Sequence, residues 1–599
     1  MPRDTTTATP LHPFACAHCD KRFTRHENLK RHLAVHGTSS GSIRCTLCRA
    51  TFARADLRRR HVKRKHPEVL GAAVDVGGYA DDDEQGKDRE HGFDTAPLDV
   101  SADADLRLME NILSSISPEV PAPSPPGVAD ARSLPSPSTP PPPPSHAAAA
   151  TADADPLQGL SPALVDTALA LYFSHVAHFF PFVHKGTFDP RAAPRPLLLA
   201  LIGLGLQYSD AEADGAVPSL SSICFYRALG MLDDDAPAST AALDIATLQA
   251  RVLLSVLAIM YLCGGATAHG LKLHAESVLL ARQGGLFNPL PASRATSSLD
   301  ALWAEYARAE SHKRTCYALY HVDAMLYHVL SNPRALSHLE LRHDMPGPNE
   351  LWEQDSANGW AHRSLLGQGD KTTRYTTAVR NCLSDAPVPE TFAGMDAYAL
   401  SLVVSFILSS TRENSGWSTM TGQVCFERAA SLQQSGRVLE PFVTGPREDP
   451  HAALTETMLR MSMIELLMWA PSHTSGVVET SLDSAIASAL YLSGTHVTVT
   501  PDLRALLEGH IGWFLDYLDL DHEVVYATEP PWVTMYAFRA VLYAWQLARG
   551  GHLDPIERLG LGDADSMAAW TRRVFARRAR WQAARMVVRC LDEMDVAEG

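Results

Sequence analysis

The sequence divides into two small metal-stapled ββα units, a disordered linker and a large all-α domain. Three observations lead there. A Cys/Cys/His/His spacing occurs twice within the first 66 residues. A long stretch behind it is rich first in Asp, then in Pro, Ser and Ala. From about residue 157 onward, apolar side chains recur at three- and four-residue steps, the period of a helix with one buried face.

The N-terminal units come first. The spacings are Cys16-x2-Cys19-x12-His32-x3-His36 and Cys45-x2-Cys48-x12-His61-x4-His66. Two cysteines two residues apart fit a tight turn, and two histidines three or four residues apart share one helix face. The four donors can then surround Zn²⁺ tetrahedrally, which makes each unit a C2H2 zinc finger with one structural zinc ion. Phe14, Phe23 and Leu29 supply the small apolar core of the first finger; Ile43 and Phe52 take the places of Phe14 and Phe23 in the second. The fingers are read as 14–36 and 43–66, the second with a basic extension.

The linker, 67–156, is expected to be disordered. Its first half is acidic around Asp81-Asp82-Asp83-Glu84, and its second half carries a Pro140–Pro144 run. Such composition buries too little apolar surface to offset chain entropy. Within it Leu106, Met109, Ile112, Leu113 and Ile116 fall at helical spacing in an acidic setting. Two readings stand side by side: an activation segment that folds on a coactivator, and a transient helix without a role.

Helices are expected over Ala163–Phe179, Pro196–Tyr208, Ile245–Leu262, Leu271–Gln283, Leu302–Leu330, Ala397–Ser409, Leu454–Trp469, Leu503–Leu518, Trp532–Ala548 and Ala568–Leu591. Turns rich in Gly, Pro, Asp and Asn separate them, as at Asp210–Pro218 and Asn288–Ser297. A main domain over 157–450 and a C-terminal helical region over 451–599 that continues it are expected.

Composition sets the remaining bounds. The net charge of −16 hides an asymmetry: residues 1–66 hold fifteen Lys/Arg against four Asp/Glu, about +11, so the remainder holds about −27. A basic head on an acidic body is the footprint of a nucleic-acid-binding module joined to something else. Outside the fingers, Cys224, Cys263, Cys316, Cys382, Cys425 and Cys590 are scattered without pairing, the usage of a reducing compartment. Residues 1–13 are polar, so no secretory leader is expected. The longest apolar run, Val252–Cys263, is too short to span a bilayer. No P-loop, dinucleotide fingerprint, H-E-x-x-H or nucleophile elbow is present. Nothing therefore points to an enzyme. His175, His178 and His184 are assigned to the core or to capping rather than to a second metal site, and Glu310 and Asp323 to ion pairing with Lys313 and Arg314.

Two family resemblances follow from quoted residues. Leu171-Tyr172-Phe173, His175, Phe179-Phe180-Pro181-Phe182-Val183-His184 and Thr187-Phe188 open one pattern. Leu197 to Gly205, Thr247-Leu248-Gln249-Ala250 and Ala275 to Leu286 continue it. Trp303, Glu305, Glu310, Lys313-Arg314, Tyr317, Tyr320, Asp323, Met345-Pro346 and Trp352 close it. In order and spacing this stretch, 157–355, resembles the fungal-specific transcription factor domain. The resemblance implies an all-α regulatory domain that receives a coactivator, a corepressor or a small-molecule effector. The tandem fingers resemble those of fungal two-finger C2H2 regulators, whose second finger reads Arg-x-Asp-Leu-Leu-x-Arg-His. Here Arg54-Ala55-Asp56-Leu57-Arg58-Arg59-Arg60-His61 places Arg58 where a core leucine is usual. Either Leu57 turns inward or the Arg58 stem covers the core, and both weaken the second finger. The eight-residue connection Gly37–Arg44 is longer than usual, which loosens strict triplet spacing.

Helix positions −1, 3 and 6 of a finger face successive bases in the major groove. They are Arg25, Asn28 and Arg31 in the first finger and Arg54, Leu57 and Arg60 in the second. Arginine matches guanine and asparagine matches adenine. The expected target is double-stranded DNA with a G-rich strand reading GNG-GAG. Arg58, Arg59, Lys63, Arg64 and Lys65 are suited both to phosphate contacts and to nuclear import. The expectation is a nuclear, sequence-specific transcription factor for RNA polymerase II genes. By the habit of such regulators, its targets are expected among genes for carbon use, stress responses or a secondary-metabolite gene cluster, the last being preferred. The alternative is a zinc-finger adaptor for protein or RNA on a helical scaffold.

Overall fold

The computed structural model describes four short strands within residues 14–52 and, beyond them, residues 157–209, 219–234, 244–291, 298–367, 373–414, 426–445, 450–468, 479–493, 501–520, 529–552 and 554–598. The linker 67–156 lies outside the described residues. The chain forms two compact units, Met1–Pro97 and Leu98–Gly599.

In the first unit β1 (Phe14–Ala15) pairs antiparallel with β2 (Arg22–Phe23), and β3 (Ile43–Arg44) with β4 (Thr51–Phe52). The registers are the same: Phe14 opposite Phe23, and Ile43 opposite Phe52.

The regular structure of the second unit is helical among the described residues, apart from one bridge between Asp344 and Arg374. Helix α1 (Pro162–Leu171) starts where the Ser161 side chain accepts from Leu164 N, then continues as a π turn over Tyr172–Val176. Helix α2 (Arg195–Leu206) is apolar and buried on nearly every face. It approaches α1 so closely that a Cβ on Gly205 would run into the Ala168 carbonyl. Helix α3 (Leu220–Asp234) packs on α2. Helix α4 (Ile245–Val256) is capped by Asp244, which accepts from Ala246 N and Thr247 N, and runs into a second π turn, Leu257–Leu262. Ile245–Leu262 is long and apolar enough to cross a membrane, but 78% of it is buried inside the protein, as a core helix is.

Helix α5 (Ala266–Gln283) follows, then the 32-residue α6 (Leu299–Leu330), capped by Ser298 and ended by Ser331 at φ 57°. The second half of α6 is buried all round, which makes it the axis of the fold. Short helices α7 (Asn349–Trp352), α8 (Ala357–Leu366) and α9 (Tyr375–Cys382) lead to α10 (Ala397–Asn414) and α11 (Phe426–Val443). The rest are α12 (Pro450–Leu467), α13 (Leu482–Ser493), α14 (Pro501–Asp519), α15 (Pro531–Arg549), α16 (Asp554–Arg558), α17 (Ala564–Ala576) and α18 (Gln582–Glu598). Helix α6 contacts α10, α13 and α15, and α10 packs broadly on α12. One apolar core therefore runs from Ala168 to Leu591.

The structure corrects several expected spans. The segment expected as one helix over Ala163–Phe179 is α only to Leu171, and its π turn stops at Val176. Ala568–Leu591 is two helices, broken at Arg577–Trp581, because Arg578 turns inward to a buried carboxylate, Glu529, 3.3 Å away. Helices α3, α7, α8, α9, α11, α13 and α16 were not foreseen. In α11, Pro441 and a polar composition mask the period. Cys224, Cys263, Cys316 and Cys382 are buried free thiols and Cys590 is half-buried; Cys425 lies outside the described residues.

Candidate nucleic-acid interface and the regulatory core

In each hairpin the connection between the strands carries a cysteine pair. Residues 16–21 join β1 to β2 and carry Cys16 and Cys19; residues 45–50 join β3 to β4 and carry Cys45 and Cys48. Both connections are six residues long, and both hairpins share one register. The backbone thus repeats where the sequence repeats. The donor sets Cys16, Cys19, His32, His36 and Cys45, Cys48, His61, His66 suit tetrahedral Zn²⁺, and the hairpins fit a fold built around it. The eight donors themselves lie outside the described residues. So do Arg25, Asn28, Arg31, Arg54, Leu57, Arg60 and the basic run Arg58, Arg59, Lys63, Arg64, Lys65.

In the helical unit, the charges Glu310, Lys313 and Arg314 gather into a knot on α6. Glu310 accepts from Lys313 Nζ at 2.7 Å, Arg314 Nε at 2.9 Å and Gly347 N at 2.7 Å. Arg314 is fully buried and donates onward to Asn349 Oδ1 at 3.0 Å and Gly347 O at 2.7 Å. Its guanidinium lies 4.7 Å from the Trp352 ring and 5.2 Å from Tyr398. Burial alone would raise the Glu310 pKa, but Arg314 and Lys313 overcome it and hold the carboxyl below its ordinary value. This is a structural ion cluster that staples the 344–349 strap to α6. Removing the carboxylate leaves Arg314 charged and buried, so Glu310→Ala is expected to cost about 3–5 kcal/mol in urea unfolding, with Glu310→Gln losing less. A loss below about 1 kcal/mol for the alanine variant would rule out this role for the knot.

Asp323 corrects the expectation attached to it. It does not join Lys313 and Arg314. Its carboxylate accepts from His274 Nε2, Ala335 N and Leu336 N, each at 3.0 Å, and so anchors the loop after α6. The three histidines expected in the core or at caps go separate ways. His175 stacks on Tyr208 with centroids 4.7 Å apart, His178 Nε2 bonds Ser174 O, and His184 Nδ1 bonds Thr187 Oγ1. Among the described residues no group of His, Cys, Asp and Glu could hold a metal ion.

A second buried cluster escaped the sequence reading. Glu465 on α12 accepts from Arg539 on α15 at 3.2 Å and lies 3.9 Å from Arg412 on α10. Arg412 also donates to His328 O and Ser331 Oγ at the end of α6. The signal in the sequence is partial: Arg539 is the lone charge in the apolar run Trp532–Ala548, and Glu465 stands within the apolar Met461–Trp469.

Residues 169–430 match the fungal specific transcription factor domain, and residues 14–36 match the C2H2-type zinc finger. No curated protein and no solved structure matches the chain. The first match takes in the π turn of α1, the Glu310–Arg314 knot and all of α2 to α10. Both domains are typical of transcription regulators rather than enzymes. A zinc finger of the C2H2 type followed by a fungal specific transcription factor domain is the build of a fungal C2H2 zinc-finger transcription factor, and that is the build of this chain.

Proposed function

We propose that the chain is a nuclear, sequence-specific DNA-binding regulator of RNA polymerase II genes, with two zinc fingers over 14–36 and 43–66 as its reading head. The observation that carries this is the repeated hairpin: two backbone units of one register, each framing a cysteine pair and each followed by a His pair and by basic reading positions. Arg25, Asn28 and Arg31 read GAG, and Arg54, Leu57 and Arg60 read GNG. Two fingers cover only about six base pairs, so Arg58, Arg59, Lys63, Arg64 and Lys65 add phosphate contacts and serve nuclear import. Behind a linker over 67–156, the helical body, with its main part at 157–450 and its continuation at 451–599, receives coactivators, corepressors or an effector. Secondary-metabolite gene clusters are the proposed targets.

The test is a pair of variants measured on a GNG-GAG duplex and on duplexes changed at single bases. Arg31→Ala is expected to cost about 1–3 kcal/mol and to relax one base position. Lys63→Ala is expected to weaken every duplex alike and to lower the salt dependence by about one charge. Uniform loss in both variants would overturn the base assignment. Preference for RNA or for a protein partner over every duplex would favour an adaptor instead.

A further inference from the structure

The helical body contains a half-open cavity of about 290 Å³. Its apolar walls are Phe173, Ala177, Pro181, Val183 and Trp352. They come from the π turn of α1, the segment after it and the end of α7. Turns of π type concentrate at functional sites, and this one delivers Phe173 to the wall. His451, at the start of α12, also lines this cavity, its ring 6.0 Å from that of His178. The pocket thus joins elements 270 residues apart in sequence, with the Arg314 knot holding Trp352 and Asn349 from behind.

The polar groups are few and their hydrogen-bonding senses are set by neighbours. His178 Nε2 donates to Ser174 O, which leaves Nδ1 as the acceptor. Asn349 Oδ1 is taken by Arg314, which leaves its NH₂ as a donor. Burial pushes His451 down to about 3, so it stays neutral in a cell. At the rim Lys185 is exposed, its ammonium 5.9 Å from the Phe173 ring and in no ion pair with a described residue. Glu353 is the exposed carboxylate at the rim.

We propose that this cavity is an effector site for a flat aromatic monoacid of one or two rings that also carries a hydroxyl group. The rings lie between Phe173, Pro181 and Trp352. The hydroxyl donates to His178 Nδ1. The carboxylate takes Lys185 Nζ and the Asn349 amide, while Glu353 turns away a second negative charge. Occupancy ties the π turn, α7 and α12 together, which gives the ligand a way to bias the body between two packings. That consequence rests on the proposed regulatory role. Binding does not, and it is measured without DNA.

The test is calorimetry on the full-length protein with 6-hydroxy-2-naphthoate, 2-naphthoate and 2-naphthol. The first is expected to bind saturably at one site, and each of the others about tenfold more weakly for the one group it lacks. Lys185→Gln, at an exposed position, is expected to weaken both acids about tenfold and to leave 2-naphthol unchanged. Ala177→Phe fills the cavity and is expected to abolish all three. Absence of saturable binding, or binding that Lys185→Gln weakens equally for all three probes or for none, overturns the proposal even where Ala177→Phe fails to fold. Duplex binding by the same preparation reports separately on the regulator reading.

Discussion

Chelating zinc from the full-length protein is expected to abolish specific DNA binding and to leave the helical body folded. A structural zinc site supplies about 10–16 kcal/mol of apparent folding free energy to its finger, more than so small a hairpin-and-helix unit can raise from its own core. Without metal the reading helix is not held, and affinity is expected to drop by about 10³ or more, to the non-specific level. The body is expected to hold without the metal. Its core from Ala168 to Leu591 is one apolar cluster, and no metal-holding group occurs among the described residues. Far-UV circular dichroism should therefore barely change while duplex binding disappears. Collapse of the helical signal on chelation would show that the two compact units do not fold independently. Single variants divide the effect. Cys16→Ala is expected to remove all specific binding. Cys45→Ala is expected to spare a weak GAG preference, since the proposed second finger, with Arg58 where the resemblance expects a core leucine, is the weaker of the two.

The parts of this chain that were legible in its sequence are those with local causes. Cys-x2-Cys ahead of a His pair requires a hairpin of defined length, and both hairpins are there, with Phe14 opposite Phe23 and Ile43 opposite Phe52. Helices with one apolar face announced themselves by period, as in Leu503–Leu518, where the helix extends over Pro501–Asp519. Features with distant causes were not legible. The π turns arise where backbone hydrogen bonds shift by one residue under packing, which leaves no mark on side-chain period. The break at Arg577–Trp581 depends on Glu529, 49 residues from Arg578. Asp323 looked like a partner for Arg314, nine residues earlier on the same helix, but a loop yet to come, at Ala335 and Leu336, claimed its carboxylate.

The same contrast governs the candidate sites. Glu310 with Lys313 and Arg314 sits at helical i, i+3 and i+4 spacing, so the pair could be read from the chain. The stacking of Arg314 on Trp352 and Tyr398 could not, because it needs α7 and α10 folded against α6. The cavity is a further step removed. Phe173, Pro181, Val183 and Trp352 stand in the quoted family pattern, but nothing in that pattern shows that they face one space, and His451 joins them from α12, which packs on α10. Sequence patterns name residues that act with near neighbours; a pocket is made by residues that fold brings together.

Mild acid is expected to unfold the helical body, starting well above the ordinary carboxylate range. Burial pushes His321 down to about 4 and His451 down to about 3. His321 sits between Phe180 and Trp532 with Nδ1 on Ser405 Oγ at 2.9 Å, and His451 sits against Phe179 and Tyr398. His328 is also held well below its ordinary value by burial, with Arg539 and Arg412 beside it. In the unfolded chain each imidazole takes a proton near its ordinary value of about 6.5. Between there and about 4 the unfolded state binds protons that the native state refuses, so every step down in pH favours unfolding. Each such histidine removes about 1.4 kcal/mol per pH unit, so His321 and His451 together remove roughly 5 kcal/mol between pH 6.5 and about 4.5. That is comparable with the whole stability of many domains, about 5–15 kcal/mol. Glu310 acts in the same direction lower down: its depressed carboxyl stabilises the fold above the ordinary carboxylate value, and this is lost as pH falls through its folded value. Urea midpoints for the full chain should be steady above pH 7 and fall steeply from pH 6.5 to 5. Asparagine at position 321 keeps a partner for Ser405 and cannot take the proton, so His321→Asn should flatten that slope by about one proton per molecule. A midpoint that does not move between pH 7 and 5 would show that these imidazoles are hydrated in the native state, and that the core around Trp532 is looser than its packing.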